Sequence, residues 1–309
     1  MIRRHILISL GTAIFLFLAL PSIPLHLLLF VANLSTSFSS ASWIGFGELE
    51  VRGIQQGSAL RIKAVSIRLG PSFFRGHFAD LRIYGAEGWL SRLEKPSTSG
   101  KSLPIHIDHL LVAESTLFLD NLGPGIPVTP LRLGDTTPLL FTDVHFGSSK
   151  KTTTPTLQSA TIERLIFYSP SDPLAPVLAF PKIDVVFTWD ELVQHQIRSL
   201  IISHPTIYLG DDLFAFVDRI QEKKSAPQTP TNPYKIGNFN LNDGQLAVSI
   251  NGQPVLPLPV RFAAEQKNLE LSDFTQLQLC TRFTIPSSDI NYPAYDLSVA
   301  NLRGNLFFS

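Results

Sequence analysis

A single cysteine, Cys280, excludes an intrachain disulfide and any site built on several thiolates. Charged residues make up 16% of the chain, well below the usual quarter, and the formal net charge is zero. A nucleic-acid partner is therefore not expected, because no basic excess is available to neutralise phosphates. The sequence also lacks a phosphate-binding loop, a dinucleotide fingerprint, a zinc-protease His-Glu-x-x-His, a nucleophile elbow and a calcium loop. No enzymatic activity and no cofactor are expected. Methionine occurs once and tryptophan three times, whereas phenylalanine occurs 22 times. That balance suits strands and apolar surface better than soluble helices.

The first 47 residues contain the longest uncharged run. Arg3, Arg4 and His5 precede a stretch from Ile6 to Gly47 without acidic, lysine or arginine residues. Ile6 to Ala32 would extend about 40 Å as a helix, more than the ~30 Å hydrocarbon core of a bilayer. Pro21 and Pro24 should kink such a helix. Basic residues on the N-terminal side orient the N-terminus to the cytoplasm and the body across the membrane. A cleaved signal peptide is the other reading, with Ile6 to Leu20 as its apolar region and Ser39-Ser40-Ala41 as its cleavage site. Both readings export the body, and the lack of cysteine pairs fits a bacterial periplasm.

Beyond residue 45 an apolar cadence recurs. From Ile236, offsets three, five, ten and twelve are Phe239, Leu241, Leu246 and Val248. From Ile107 they are Leu110, Val112, Leu117 and Leu119, and from Ile197 they are Leu200, Ile202, Ile207 and Leu209. Partial copies start at Phe78 (Leu81, Ile83, then Gly88) and at Ile162 (Leu165, Phe167, then Asp172). Each copy reads as two period-2 strands around a polar tip. A two-residue turn at Asp243-Gly244 would set Leu241 opposite Leu246 and Phe239 opposite Val248. The twelve residues of the three full copies are the candidate lining of an apolar surface.

The expected organisation is a cytoplasmic N-terminus and anchor over 1–45, a β-rich segment over 46–224, a Pro-rich linker over 225–233 and a β-rich continuation over 234–309. Asp211 to Lys224 reads as a helix with Leu213, Phe214, Phe216, Val217 and Ile220 on its apolar stripe. Asp211 and Asp212 read as its N-caps. A change of alternation near Ala64 predicts a bulge. Pro254, Pro257 and Pro259 predict an edge or loop. His204-Pro205 reads as a turn pair. Ser309 directly follows a strand, which suggests a truncated or split polypeptide. His106, Asp108 and His109 are the densest ligand-like cluster, read as a solvated strand face and not as a metal site.

From Phe187 to Ile250 the chain resembles the AsmA-like family of envelope proteins, which includes TamB relatives. Trp189 and Leu192 match its Trp-x-x-Leu element, and Ile197, Leu200, Ile202 and Pro205 match the following strands. Leu213 to Ile220 matches its helix, and Leu241, Asp243 and Gly244 match the closing strand. The resemblance implies an inner-membrane anchor followed by a mainly β protein with a few short helices. Its antiparallel strands, about 16–20 of them, would curl into an apolar groove that conducts phospholipid acyl chains between membranes or supports envelope assembly with protein partners. The alternative is a structural or adhesive exported β module that binds another protein through an edge strand.

Overall fold

The computed structural model describes residues 36–69, 77–93, 105–146, 156–225, 234–250, 253–270, 280–292 and 297–308. The expected anchor over residues 6–32 and the expected linker over 225–233 lie outside these, apart from Ser225. Among the described residues no helix is long and apolar enough to cross a membrane. The chain is mainly β, with seventeen strands and three short helices among the described residues.

The strands begin with β1 (Thr36–Ser37), β2 (Ser40–Gly45), β3 (Glu48–Gln56), β4 (Leu60–Leu69) and β5 (His77–Trp89), followed by helix α1 (Leu90–Leu93). Next come β6 (Ile105–Ala113), β7 (Ser115–Leu119), β8 (Thr129–Leu133), β9 (Leu139–Phe146), β10 (Gln158–Tyr168) and β11 (Pro176–Phe187). Helix α2 (Trp189–Val193), β12 (Gln196–Ser203), β13 (Thr206–Leu209) and helix α3 (Asp211–Ser225) follow. The last strands are β14 (Lys235–Ile250), β15 (Gln253–Glu270), β16 (Cys280–Tyr292) and β17 (Leu297–Phe308).

Two compact units divide these elements. The first takes the described residues of 1–118 and 133–152, the second those of 119–132 and 153–309. In the first unit β2, β3, β4 and β5 pair antiparallel in sequence order. β6 and β7 then lie parallel to β5, and β9 pairs antiparallel with β6. In the second, β10, β11 and β12 pair antiparallel, β12 and β13 both lie parallel to β14, and β15, β16 and β17 complete the order antiparallel.

The expectation of an antiparallel sheet therefore needs correction at two places. Parallel neighbours require a crossover of a dozen or more residues, often helical. Residues 90–104, with α1, and residues 210–234, with α3, are long enough to supply it. The second crossover includes the Pro-rich stretch, so the strands on either side of that stretch are hydrogen-bonded neighbours.

The hairpin expected at Asp243-Gly244 is absent, because β14 runs through it as one strand. Asp243 has φ 51°, and the register shifts between Leu241 and Gly244. Glu114 and His204 stand at the same offset, seven, in their copies, with φ 49° and 53°. His204-Pro205 likewise does not reverse the chain, since β12 and β13 pair with the same two neighbours, β11 and β14. What reads in sequence as a hairpin tip is a left-handed residue inside a continuing strand.

Such residues stand in a row. In the first unit Gly53 of β3 lies opposite Lys63 of β4, which lies opposite Gly85 of β5, whose parallel neighbour is Glu114. In the second unit the row is Arg164, Pro181, His204 and Asp243. Gly53, Gly85, Glu114, Arg164, His204 and Asp243 all have positive φ. A left-handed residue breaks the alternation of faces. Ile162 and Leu165, three apart across Arg164, consequently pack in one apolar cluster. The bulge expected near Ala64 is not there: β4 keeps an unbroken register from Leu60 to Arg68 with both β3 and β5, and its one shift, against β5, falls between Arg68 and Leu69.

The three prolines of residues 254–259 stand within β15 and not in a loop. Pro254 and Pro257 pair with Ser249 and Ala247 of β14. β15 meets β16 only from Arg261 to Glu265, so the proline-bearing half has one partner strand among the described residues.

Candidate functional site

The sequence copies lie side by side. Ile197, Leu200, Ile202, Ile207 and Leu209 pair in parallel with Ile236, Phe239, Leu241, Leu246 and Val248. In the first unit Phe78, Leu81, Ile83 and Gly88 pair with Ile107, Leu110, Val112 and Leu117. Each residue thus neighbours its own counterpart, and the apolar positions form ladders across the strands.

In the second unit the ladder joins a cluster centred on the buried Leu165, Ile183 and Ile202. Leu119, Leu131, Ile162, Phe167, Phe180, Val185, Leu200, Phe239 and Leu241 pack against it while only partly buried. Helix α3 packs one aromatic ring there. Phe216 is 2% exposed, and its ring centroid stands 5.8 Å from that of Phe167, which meets Phe180 edge-on at 5.9 Å. Phe214 and Val217 of the expected stripe are exposed. Asp211 and Asp212 lie in the first turn of α3 and not at its cap; Asp212 accepts a hydrogen bond from Ser169.

Of the twelve candidate lining residues, Leu119, Leu200, Ile202, Phe239 and Leu241 share this cluster. Ile207, Leu209, Leu246 and Val248 continue the ladder beyond the row of left-handed residues and are half-buried. Leu110, Val112 and Leu117 belong to the other unit, where Leu110 is buried. The candidates are therefore divided between two units. Phe180 and Val185 escaped the cadence because β11 runs antiparallel to the copies; Val185 shares the alternation of Ile183 and Phe187, whereas Phe180, three residues before Ile183, is out of phase with it.

At the beginning of the parallel pair in the second unit a cavity of about 620 Å³ is lined by Arg198, Lys235, Lys267, Glu191 and the amides of Asn238 and Asn268. Helix α2 holds one wall. Thr188 accepts from the Glu191 backbone N–H, and the Glu191 carboxylate accepts from the Thr188 N–H at 2.8 Å, a capping box. Burial pulls the Glu191 carboxyl upward, but hydrogen bonds from Arg198 and Thr188 and the Arg198 charge outweigh it and hold it below its ordinary range. Trp189 and Leu192 of the Trp-x-x-Leu element are the body of α2.

The first unit carries a second polar constellation. His77 begins β5, beside His106 of β6 in the parallel register. Their rings stack at 4.6 Å with planes 6° apart. His77 Nε2 lies 2.8 Å from Asp108 Oδ1, and His106 Nε2 lies 3.6 Å from the same oxygen and 2.9 Å from Asp143 Oδ1. Asp143, at φ 54°, comes from β9. His109 takes no part; it pairs in register with Asp80 on the next stretch of β5. The sequence pointed to His106 and Asp108, whereas His77 and Asp143 are brought in from 29 and 37 residues away by strand register.

No family model and no curated protein matches the chain. Among solved structures, a sex pheromone staph-cAM373 precursor aligns over 75% of this chain and 81% of its own at 10% identity. Its TM-score is 0.13, which carries no argument about fold or function.

Proposed function

We propose that this chain is a membrane-anchored, exported lipid-handling protein of AsmA-like type, without enzymatic activity, whose ligands are phospholipid acyl chains. The reading rests on one observation: apolar ladders that are repeated, aligned in register and, apart from buried members such as Ile202 and Ile236, left only partly buried. A structural core of this size would normally bury such residues fully. Acyl chains lying against Leu200, Phe239 and Leu241 would leave water, at about 0.8 kcal/mol per methylene. Ten shielded methylenes contribute roughly 8 kcal/mol on the same scale. The Arg198, Lys235 and Lys267 side chains offer a phosphate headgroup a cationic seat near the beginning of these strands.

The test uses the full chain purified in detergent, with co-purified lipid measured by mass spectrometry. Wild-type protein should carry phospholipid, and the triple variant Leu200→Asp, Phe239→Asp, Leu241→Arg should carry at least about tenfold less. A photoreactive phenylalanine analogue at Phe239 gives a readout that survives if the triple variant misfolds, and it should crosslink to lipid. Lipid-free wild-type protein with no crosslink at Phe239 sinks the reading and favours the edge-strand binding module.

A further inference from the structure

The geometry points to a divalent transition-metal site, with zinc as its natural occupant, formed by His77, His106 and Asp108. The ligand atoms of His77, His106 and Asp108 all lie within 4.8 Å of one another. Metal–ligand bonds of about 2.0–2.2 Å in a tetrahedral arrangement place donor atoms roughly 3.3–3.6 Å apart, and the distances of 2.8 and 3.6 Å around Asp108 Oδ1 bracket that spacing.

Two hydrogen bonds already pair the set, His77 Nε2 with Asp108 Oδ1 at 2.8 Å and His106 Nε2 with Asp143 Oδ1 at 2.9 Å, and an ion bound at the two Nε2 atoms would replace them. His106 Nε2 faces two carboxylate oxygens, but a single N–H can be aimed at only one of them. Asp108 Oδ1 in turn faces two ring nitrogens. The imidazoles stack almost face to face and present the same ring atom to the same point. A dication accepts lone pairs from both Nε2 atoms at once and offsets the two carboxylates. Two imidazoles with one or two carboxylates suit zinc, cobalt or nickel, whereas calcium and magnesium demand all-oxygen shells.

The strand pattern places the set reproducibly. β5 and β6 run parallel in register, so His77 and His106 are neighbours by the same 29-residue relation that aligns Phe78 with Ile107. The left-handed backbone at Asp143, a residue type that tolerates it, lies at the unpaired step opposite Asp108. A bound ion would fasten two adjacent strands, β5 and β6. The side chains are between 29% and 40% exposed, so the ion can enter from solvent.

The experiment uses the full, tag-free chain in detergent, stripped with chelator and titrated with zinc chloride by calorimetry, then with cobalt chloride by visible absorption. One equivalent of zinc should bind at micromolar or tighter affinity, and cobalt should develop ligand-field bands. His77→Gln and Asp108→Asn should each weaken zinc by at least about 100-fold, the upper end of what loss of even a supporting group costs. His109→Gln should change nothing. Chelator-treated variants should melt with chelator-treated wild type, and zinc should raise the midpoint of wild type alone. Zinc binding that persists in both His77→Gln and Asp108→Asn, or a wild-type chain that binds no zinc at micromolar concentration, overturns the site.

Discussion

β5 with β6–β7 and β12–β13 with β14 are two parallel pairs that carry the same apolar cadence and the same left-handed step, yet they supply that step differently. In the first pair the leading strand has Gly85 beside Glu114 of its neighbour, and β3 has Gly53 in the same row. A Cβ at Gly85 would run into the Lys63 side chain, and one at Gly53 into Ser39. In the second unit the row contains Arg164, His204 and Asp243, all bearing side chains. His204 Nδ1 and Asp243 Oδ2 stand 2.8 Å apart, so the space a glycine would leave is used by a hydrogen bond on the exposed surface. Pro181 sits in that row as well, between two left-handed neighbours where no ladder hydrogen bond is required of it. Glycine is thus demanded only where a neighbour already occupies the Cβ position. The left-handed step itself belongs to the register.

The largest effects should fall equally on both pairs. Ile107 and Ile236 are counterparts at the start of their copies, 2% and 0% exposed. Replacing either by alanine should destabilise its unit by about 2–5 kcal/mol, read from urea denaturation. A large loss for one and none for the other would break the equivalence of the two pairs.

Next in size is the test of the left-handed row. Gly85→Ala combines a strained φ with contact against Lys63 and should cost about 1–3 kcal/mol. Asp243→Gly, in the left-handed row of the other pair, relieves φ and removes only exposed contacts with His204 and Arg261, so it should stay within about 0.5 kcal/mol. Equal costs would mean that the rows are not equivalent backbone features.

Much of the β architecture was legible because period-2 alternation survives local irregularity. Helix α3 was legible from its stripe, of which Phe216 is buried whereas Phe214 and Val217 are exposed. The parallel pairing was hidden. A cadence of two short runs around Asp243-Gly244 has the same pattern whether the chain reverses or merely steps through a left-handed residue, and only the partner strand distinguishes them. Leu200 and Phe239 were legible as apolar candidates, but their adjacency depends on a crossover whose direction leaves no mark in composition. His77 and Asp143 were invisible for the same reason: neither lies near His106 in sequence, and register alone assembles the four groups.

The smallest effect concerns the short helices that flank the two pairs. α1, after β5, has no acidic residue in its first turn, whereas α2, before β12, has Asp190 and Glu191 there and a complete capping box. Thr188 is 2% exposed, and Thr188→Ala should cost about 1 kcal/mol. The pH dependence gives the finer test. Burial raises the Glu191 carboxyl, but Arg198 and Thr188 together hold it below its ordinary 4.5, so the folded state prefers the carboxylate. Its contribution is then complete above pH 4.5 and is lost as the pH falls through the depressed folded value. Wild type should exceed Glu191→Gln in stability by a constant margin between neutral pH and about 5, and the two denaturation midpoints should converge below 4.5. A margin that stays constant into that acid range would assign the difference to the shape of the side chain and remove the charge from the account of how α2 is held against β12.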